Sequence, residues 1–193
     1  MPKLKIVNEN KILNDAMELF WENGFYKTSI QELVNNIDLN RTTLYNTYSD
    51  KEGLYKKSFY LYRENITQNI KRIFKKSKNT VDGFDIFTKY LVFELLKKKN
   101  GCLMINAFTE LLPCKNHELE EMLNETRMMW INLISSLLRK AKKNNELIDN
   151  INILQASQSI YSLIAGIAVL SKTNIELEAL VSSLNFIKKT IFK

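Results

Sequence analysis

An all-α fold is predicted for this chain of 193 residues by three observations. Helix breakers are scarce, with 2 Pro and 5 Gly in the whole sequence, so long segments run without a missing backbone donor or a flexible joint. Leu, Ile, Lys, Glu and Asn fill the intervals with apolar side chains three and four positions apart, the period of a helix that buries one stripe. A hydrophobic content of 45% is enough for a sizeable core, and the length suits one domain or a small domain joined to a larger one.

The first helix is expected from about Asn8 to Asn23, with Ile12, Leu13, Ala16, Leu19 and Phe20 on one stripe and Gly24 as its C-terminal cap. Thr28 opens a second helix with Gln31 in capping-box position, and Ile30, Leu33, Val34 and Ile37 form its inner face. After the turn Ile37-Asp38-Leu39 comes a short third helix, Asn40 to Tyr48, with Asn40 as N-cap and Leu44 and Tyr48 facing inward. Ser49 or Asp50 caps a long helix from Lys51 to about Lys75. Five more are placed near Asp82 to Lys98, Leu103 to Leu112, Glu118 to Asn144, Asn150 to Leu170 and Ile175 to Phe192, with Pro113 stopping the second of these.

The formal charge is +7, which suits a polyanionic partner, but the charge is unevenly spread. Met1 to Lys51 holds six basic against seven acidic side chains, whereas Glu52 to Lys78 holds eight against two. Net charge therefore does not locate a nucleic-acid site, and the case rests on which helix face carries which residue. The first residues lack the apolar run of a signal peptide, and the greasiest stretch, Ile160 to Leu170, is short for a bilayer span, so a cytoplasmic protein without a membrane role is expected. Cys102 and Cys114 make no disulfide framework; they read as ordinary small residues, with a redox pair as the alternative. No glycine-rich phosphate loop, no metal-ligand spacing and a lone histidine, His117, argue against an enzyme, a metal or a cofactor.

Two short helices around a three-residue turn fit a helix-turn-helix, whose second helix enters the major groove. With Leu44 and Tyr48 inward, the 100° step per residue puts Thr42 and Asn46 on the opposite side, flanked by Thr43 and Tyr45, with Arg41 at the edge. Arg forks onto guanine, Asn onto adenine, and hydroxyls suit phosphate oxygens. The alternative is a plain packing unit in which Tyr45 and Arg41 are rim residues.

From Ile12 to about Leu54 the sequence resembles the tetracycline-repressor-like, or TetR, family of transcriptional regulators. The likeness is carried by Ala16, Leu19, Phe20, Gly24-Phe25, Thr28-Ser29-Ile30, Thr43-Leu44-Tyr45, Tyr48 and Lys51-Glu52, all in register. It implies that Thr28 and Ser29 meet phosphate, that Arg41, Thr42, Thr43, Tyr45 and Asn46 face DNA, and that Lys51 clamps the backbone. Two positions depart from the family pattern: Asp38 where Gly is usual in the turn, and Gly53 where a helix former is usual.

The resemblance implies a DNA-binding domain over residues 1–50 and an effector-binding and dimerisation domain over 51–193. Candidate effector contacts are Tyr62, Phe87, Tyr90, Met104, Phe108, Met129, Trp130 and Leu133, since aromatic and Met side chains line adaptable apolar cavities. A dimer contact is expected at Leu177, Leu180, Val181 and Leu184, with Ala165 and Gly166 allowing close helix approach. The function expected is that of a homodimeric regulator, a repressor released from a palindromic double-stranded DNA operator by a small, largely apolar molecule. The rival is a helical interaction or lipid-binding protein using its basic surface on acidic partners.

Overall fold

The computed structural model describes residues 9–37, 39–114 and 116–193; the expected helix start at Asn8, the turn residue Asp38 and the Cys114 side chain lie outside what is described. Its elements are α1 (Glu9–Asn23), α2 (Ile30–Asn36), α3 (Arg41–Tyr48), α4 (Lys51–Lys76), α5 (Thr80–Lys98), α6 (Leu103–Leu111), a 3-10 turn at Leu112–Cys114, α7 (His117–Lys143), α8 (Ile153–Leu170) and α9 (Leu177–Ile191). Among the described residues the one departure from helix and loop is a single bridge between Leu147 and Phe192.

The helix ends are set by short polar side chains. Gly24 takes φ 86° and returns its N–H to Phe20 O at 2.9 Å, ending α1 in the left-handed region that glycine enters without a Cβ penalty. Asn then opens four helices in the same way: the side-chain oxygens of Asn40, Asn79, Asn116 and Asn152 accept from Thr43, Asp82, Leu119 and Gln155 N–H at 2.8–3.1 Å. Each satisfies one of the N–H groups that a helix start leaves without an internal partner, at about 1 kcal/mol apiece. The start of α5 has a second acceptor, because the Glu146 carboxylate takes Thr80 N–H at 2.8 Å and Val81 N–H at 3.2 Å.

The chain divides into two compact units, one through Ile66 and one from Thr67, so the division falls inside α4 rather than at Asp50. In the first unit the early turns of α4 are part of the core. Tyr55, 1% exposed, meets Phe20 edge-on at 5.0 Å between ring centroids and lies 4.9 Å from Phe25. Leu54 and Phe59 are buried beside them, along with Ile12, Ala16, Leu33 and Leu44. A helix that supplies this much apolar area to the first three helices is held to them by burial, whatever its length beyond.

In the second unit, α7 and α8 pack together with α5, α6 and α9 around them. One apolar cluster joins Phe84, Ile134, Leu138, Ala156, Ile160 and Phe192. A second joins Val92, Leu95, Ile167, Ala168, Leu180 and Leu184. Between α7 and α8 the buried hydroxyls of Ser135 and Ser157 are 2.8 Å apart, and Ser157 also donates to Ile153 O at 2.6 Å. Lys188 of α9 reaches both oxygens of Asp85 on α5 at 2.6 Å. The chain end is tied in by Ile148 N–H to Ile191 O and Lys193 N–H to Glu146 O.

This packing corrects one expectation. Leu180 and Leu184 are 1% and 2% exposed inside the second cluster, so they are core residues of their own unit and are not available to a partner. Helix α9 carries apolar residues on more than one side, and the stripe read from spacing ran across the inner and outer faces. Leu177, Val181 and Phe186 are exposed instead, Phe186 at 70%. Helix α8, with a mean hydropathy of 1.5 over its 18 residues, is buried on one side only. Gly166 is exposed, and a Cβ added there would meet nothing within 4 Å; Ala165 beside it is half-buried.

Candidate nucleic-acid interface and effector cavity

The turn between α2 and α3 is compact: Ile37 N–H returns to Leu33 O at 2.9 Å, and Leu39 N–H reaches Ile37 O at 2.6 Å. Ile37 and Leu39 are buried on either side of it. Leu44 and Tyr48 anchor α3, at 0% and 4% exposure. Burial of a side chain such as Leu44 contributes about 1.5–3 kcal/mol and fixes the rotation of the helix. The opposite face then carries Arg41, Thr42, Tyr45, Asn46 and Thr47, all exposed, with Thr43 half-buried. Arg41, Thr42, Tyr45 and Asn46 are thereby gathered on one outward surface, as the helical step predicted.

The start of α2 is built differently from the expectation. Ser29, not Thr28, is the cap: its hydroxyl accepts Glu32 N–H at 3.1 Å while the Glu32 carboxylate accepts Ser29 N–H at 2.7 Å. The Ser29 backbone N–H first, and then the Ser29 hydroxyl, hold the Glu32 carboxyl below the usual carboxylate range. Thr28 is 0% exposed and donates its hydroxyl to Gly24 O at 2.6 Å, which closes the loop after α1 and withdraws the side chain from any external partner. The box expected of Thr28 with Gln31 is thus displaced by one residue, because the loop turns the Thr28 hydroxyl back onto Gly24.

Lys51 is also placed inward. Its ammonium donates to Phe25 O at 3.0 Å and Thr28 O at 3.1 Å and lies 4.4 Å from the centre of the Phe25 ring. It is thus a tie between the first turn of α4 and the α1–α2 loop, a role that spacing did not reveal. Gly53 finds its reason here. Ser49 adopts φ 69°, and the chain folds back so that a Cβ on Gly53 would fall on the Tyr48 carbonyl oxygen, while Gly53 N–H is taken by Asp50 Oδ1 at 2.8 Å. Tyr48 itself is held neutral, its phenol pushed up by burial and then by the nearby Glu9 charge.

The loop before α2 adds residues that the helix-face argument missed. Tyr26, 47% exposed, stands edge-on to Phe25 at 5.1 Å, and Lys27 beside it is exposed. They lie outside regular elements, where periodicity gives no signal.

In the second unit a narrow cavity of about 30 Å³ is lined by α4, α5, α7 and α8 and by Phe192. Phe87, Trp130 and Leu133 are in its wall. Tyr90, Met104, Phe108 and Met129 are not. Tyr90 accepts from Asn69 Nδ2 at 3.1 Å, and Met104 Sδ accepts the indole N–H of Trp130 at 3.3 Å, one layer behind the wall. Tyr62 belongs to the first unit, where it stands edge-on to Trp21 at 5.0 Å. The wall includes residues that no motif marked: Ile70 and Phe74 from the end of α4, Thr80 and Phe84 from α5, and Ile160 from α8. Away from the cavity, Tyr161 on α8 has its phenol pushed up to about 12, chiefly by burial.

Comparison with known proteins matches residues 12–57 to the family of bacterial regulatory proteins of the tetR type. The chain is 24% identical over 179 residues to the HTH-type transcriptional repressor ComR of Escherichia coli K12, covering 91% of this chain and 85% of that one. To the HTH-type transcriptional regulator UidR of the same strain it is 24% identical over 162 residues, covering 81% of this chain and 78% of that one. Among solved structures, the regulator CifR, a cysteine mutant in complex with 26-base-pair operator DNA, superposes with a TM-score of 0.84 at 17% identity over 97% of this chain and 98% of that one.

Proposed function

The chain belongs to the TetR family of transcriptional regulators, and from that premise we propose that it is a cytoplasmic homodimeric repressor which leaves a palindromic operator when a small, largely apolar molecule enters its second unit. The observation that carries the DNA half is the outward face of α3, with Arg41, Thr42, Tyr45 and Asn46 exposed together over a helix pinned by Leu44 and Tyr48. Arg41 and Asn46 have the donor geometry for base edges; Thr42, Thr43, Tyr45 and the Ser29 cap suit phosphate oxygens. Thr28 and Lys51 act behind them by fixing the loop that presents Ser29. The ComR and CifR resemblances support the reading, being a repressor by name and a complex with operator DNA.

Two copies are needed to meet two half-sites about one helical turn, roughly 34–36 Å, apart. The outward faces of α8 and α9 support a dimer there. Gly166 and Ala165 on α8, and Leu177, Val181 and Phe186 on α9, leave apolar and small residues uncovered on the two helices. Helix α4 runs unbroken from Lys51, beside the DNA-binding helices, to Ile70 and Phe74 in the cavity wall. A ligand that displaces Phe74 therefore acts on α4. Its effect equals its preference for one of two dimer arrangements.

Selection of bound duplexes from a random pool, followed by titration with salt, tests the proposal. The expected result is a palindrome with binding that falls steeply with salt; Asn46→Ala or Arg41→Ala costs about 1–3 kcal/mol and relaxes one position per half-site. If neither substitution changes duplex binding while the fold persists, α3 is not the reading helix.

A further inference from the structure

We propose that the cavity takes a compact, uncharged ligand bearing one hydroxyl, and that Thr80 is the side chain that recognises that group; this rests on the reading of the cavity as the effector site. The wall is almost wholly apolar. Trp130 contributes an indole N–H, but that donor is already given to Met104 Sδ at 3.3 Å. Thr80 is the exception: it is 3% exposed, lies in the wall, and its Oγ1 is buried with no hydrogen-bond partner among the described residues. Its backbone N–H is satisfied by Glu146. A buried hydroxyl without a partner is a standing cost, and Val would fill the same space without it. The hydroxyl becomes favourable when something entering the cavity exchanges a hydrogen bond with it.

Charge and size narrow the class. No Asp, Glu, Lys, Arg or His lines the cavity, so a charged ligand would lose its hydration without gaining a counter-ion. The Glu146 carboxylate at the first turn of α5 further opposes an anion near Thr80. The cavity of about 30 Å³ has room for little more than a water molecule or two, so entry requires the wall to yield. Phe74, Leu133, Leu137 and Ile164 are half-buried and form the yielding side, whereas Phe84, Ile134, Leu138 and Ile160 are fully buried. Phe74 is seated directly against Gly83, where an added Cβ would come 2.6 Å from its ring. Displacing one such side chain makes space for about one ring. A small phenol or aromatic alcohol fits; a long acyl chain or a carboxylate does not.

Titration of the full chain with toluene, benzyl alcohol and benzoate, followed by calorimetry, tests this on wild type, Thr80→Val and Thr80→Ser. The expected result is that Thr80→Val weakens benzyl alcohol by about tenfold, the worth of one hydrogen bond, and leaves toluene unchanged. Thr80→Ser keeps the alcohol affinity, wild type binds benzoate at least about tenfold more weakly than benzyl alcohol, and unliganded Thr80→Val melts at a higher temperature than wild type. If toluene binds and Thr80→Val leaves benzyl alcohol unaffected, Thr80 is not the anchor although the cavity reading stands. Benzoate binding as tightly as the alcohol overturns the uncharged class. A lower melting temperature for Thr80→Val shows the hydroxyl already partnered and also overturns the proposal. If none of the three probes binds, the cavity is not the effector site and both readings fall.

Discussion

Arg41 and Lys51 are both cations of the first unit, yet the structure gives them opposite surroundings. Arg41 is exposed on α3, whereas the Lys51 ammonium is bound to two carbonyls and stacked on Phe25. Lys51→Met should therefore lower the melting temperature as well as operator affinity, while Arg41→Ala should lower affinity with the melting temperature unchanged; thermal melts and gel shifts on both variants check this. Equal stability of the two variants would return Lys51 to a purely external role. The Glu32 carboxyl is held low by its bonds to Ser29, so the folded state releases this proton more readily than the unfolded one. The sign follows: its contribution is present above the unfolded carboxylate value and is lost as pH falls through the folded one. Glu32→Gln should flatten that acidic limb of the stability profile, measured by denaturant titration across the acid range. Lys51 was legible as a type and a spacing, but the direction its side chain takes was not, because that depends on where the α1–α2 loop lies.

At the scale of elements, Gly53 decides how α3 joins α4. The Tyr48 carbonyl occupies the space a Cβ would need, and neighbouring Ser49 is already at φ 69°. Gly53→Ala gains helix propensity, worth up to about 1 kcal/mol in an open helix, yet should destabilise the first unit because a backbone atom must shift. A chemical melt showing Ala to be stabilising would mean the turn has slack. The sequence marked Gly53 as unusual for a helix start without revealing the reason, since the conflict is with a carbonyl five residues back across a turn. Elements themselves were read well: each helix lies within a few residues of its expected span, because periodicity and Asn caps are local signals. Helix α9 was harder. Leu180 and Leu184 share its apolar character with Leu177 and Val181, and only the packing against α5 and α8 separates inner from outer.

For the whole molecule, the expected dimer makes the exposed faces of α8 and α9 the place to intervene. Gly166→Arg combined with Phe186→Asp should give a folded monomer, with operator affinity reduced at least about tenfold because each half-site then binds alone. Leu180→Asp should instead unfold the second unit, since it puts a carboxylate into a core position 1% exposed. Sedimentation and circular dichroism distinguish the two. A wild type that is monomeric at micromolar concentration, or a double variant that stays dimeric, would move the interface elsewhere.

The sequence by itself determined the all-helical class, the order of the helices, the helix-turn-helix and the outward residues of α3. These follow from interactions within one or two helical turns, where spacing along the chain is distance in space. Tertiary structure alone decided that Ser29 rather than Thr28 caps α2, that Lys51 and Tyr62 turn into the first unit, that Leu180 and Leu184 are core, and that Thr80 lies with an unpartnered hydroxyl in the wall of the cavity. Each depends on contact with a separate segment, and no local period encodes which of several apolar or polar faces that segment will meet.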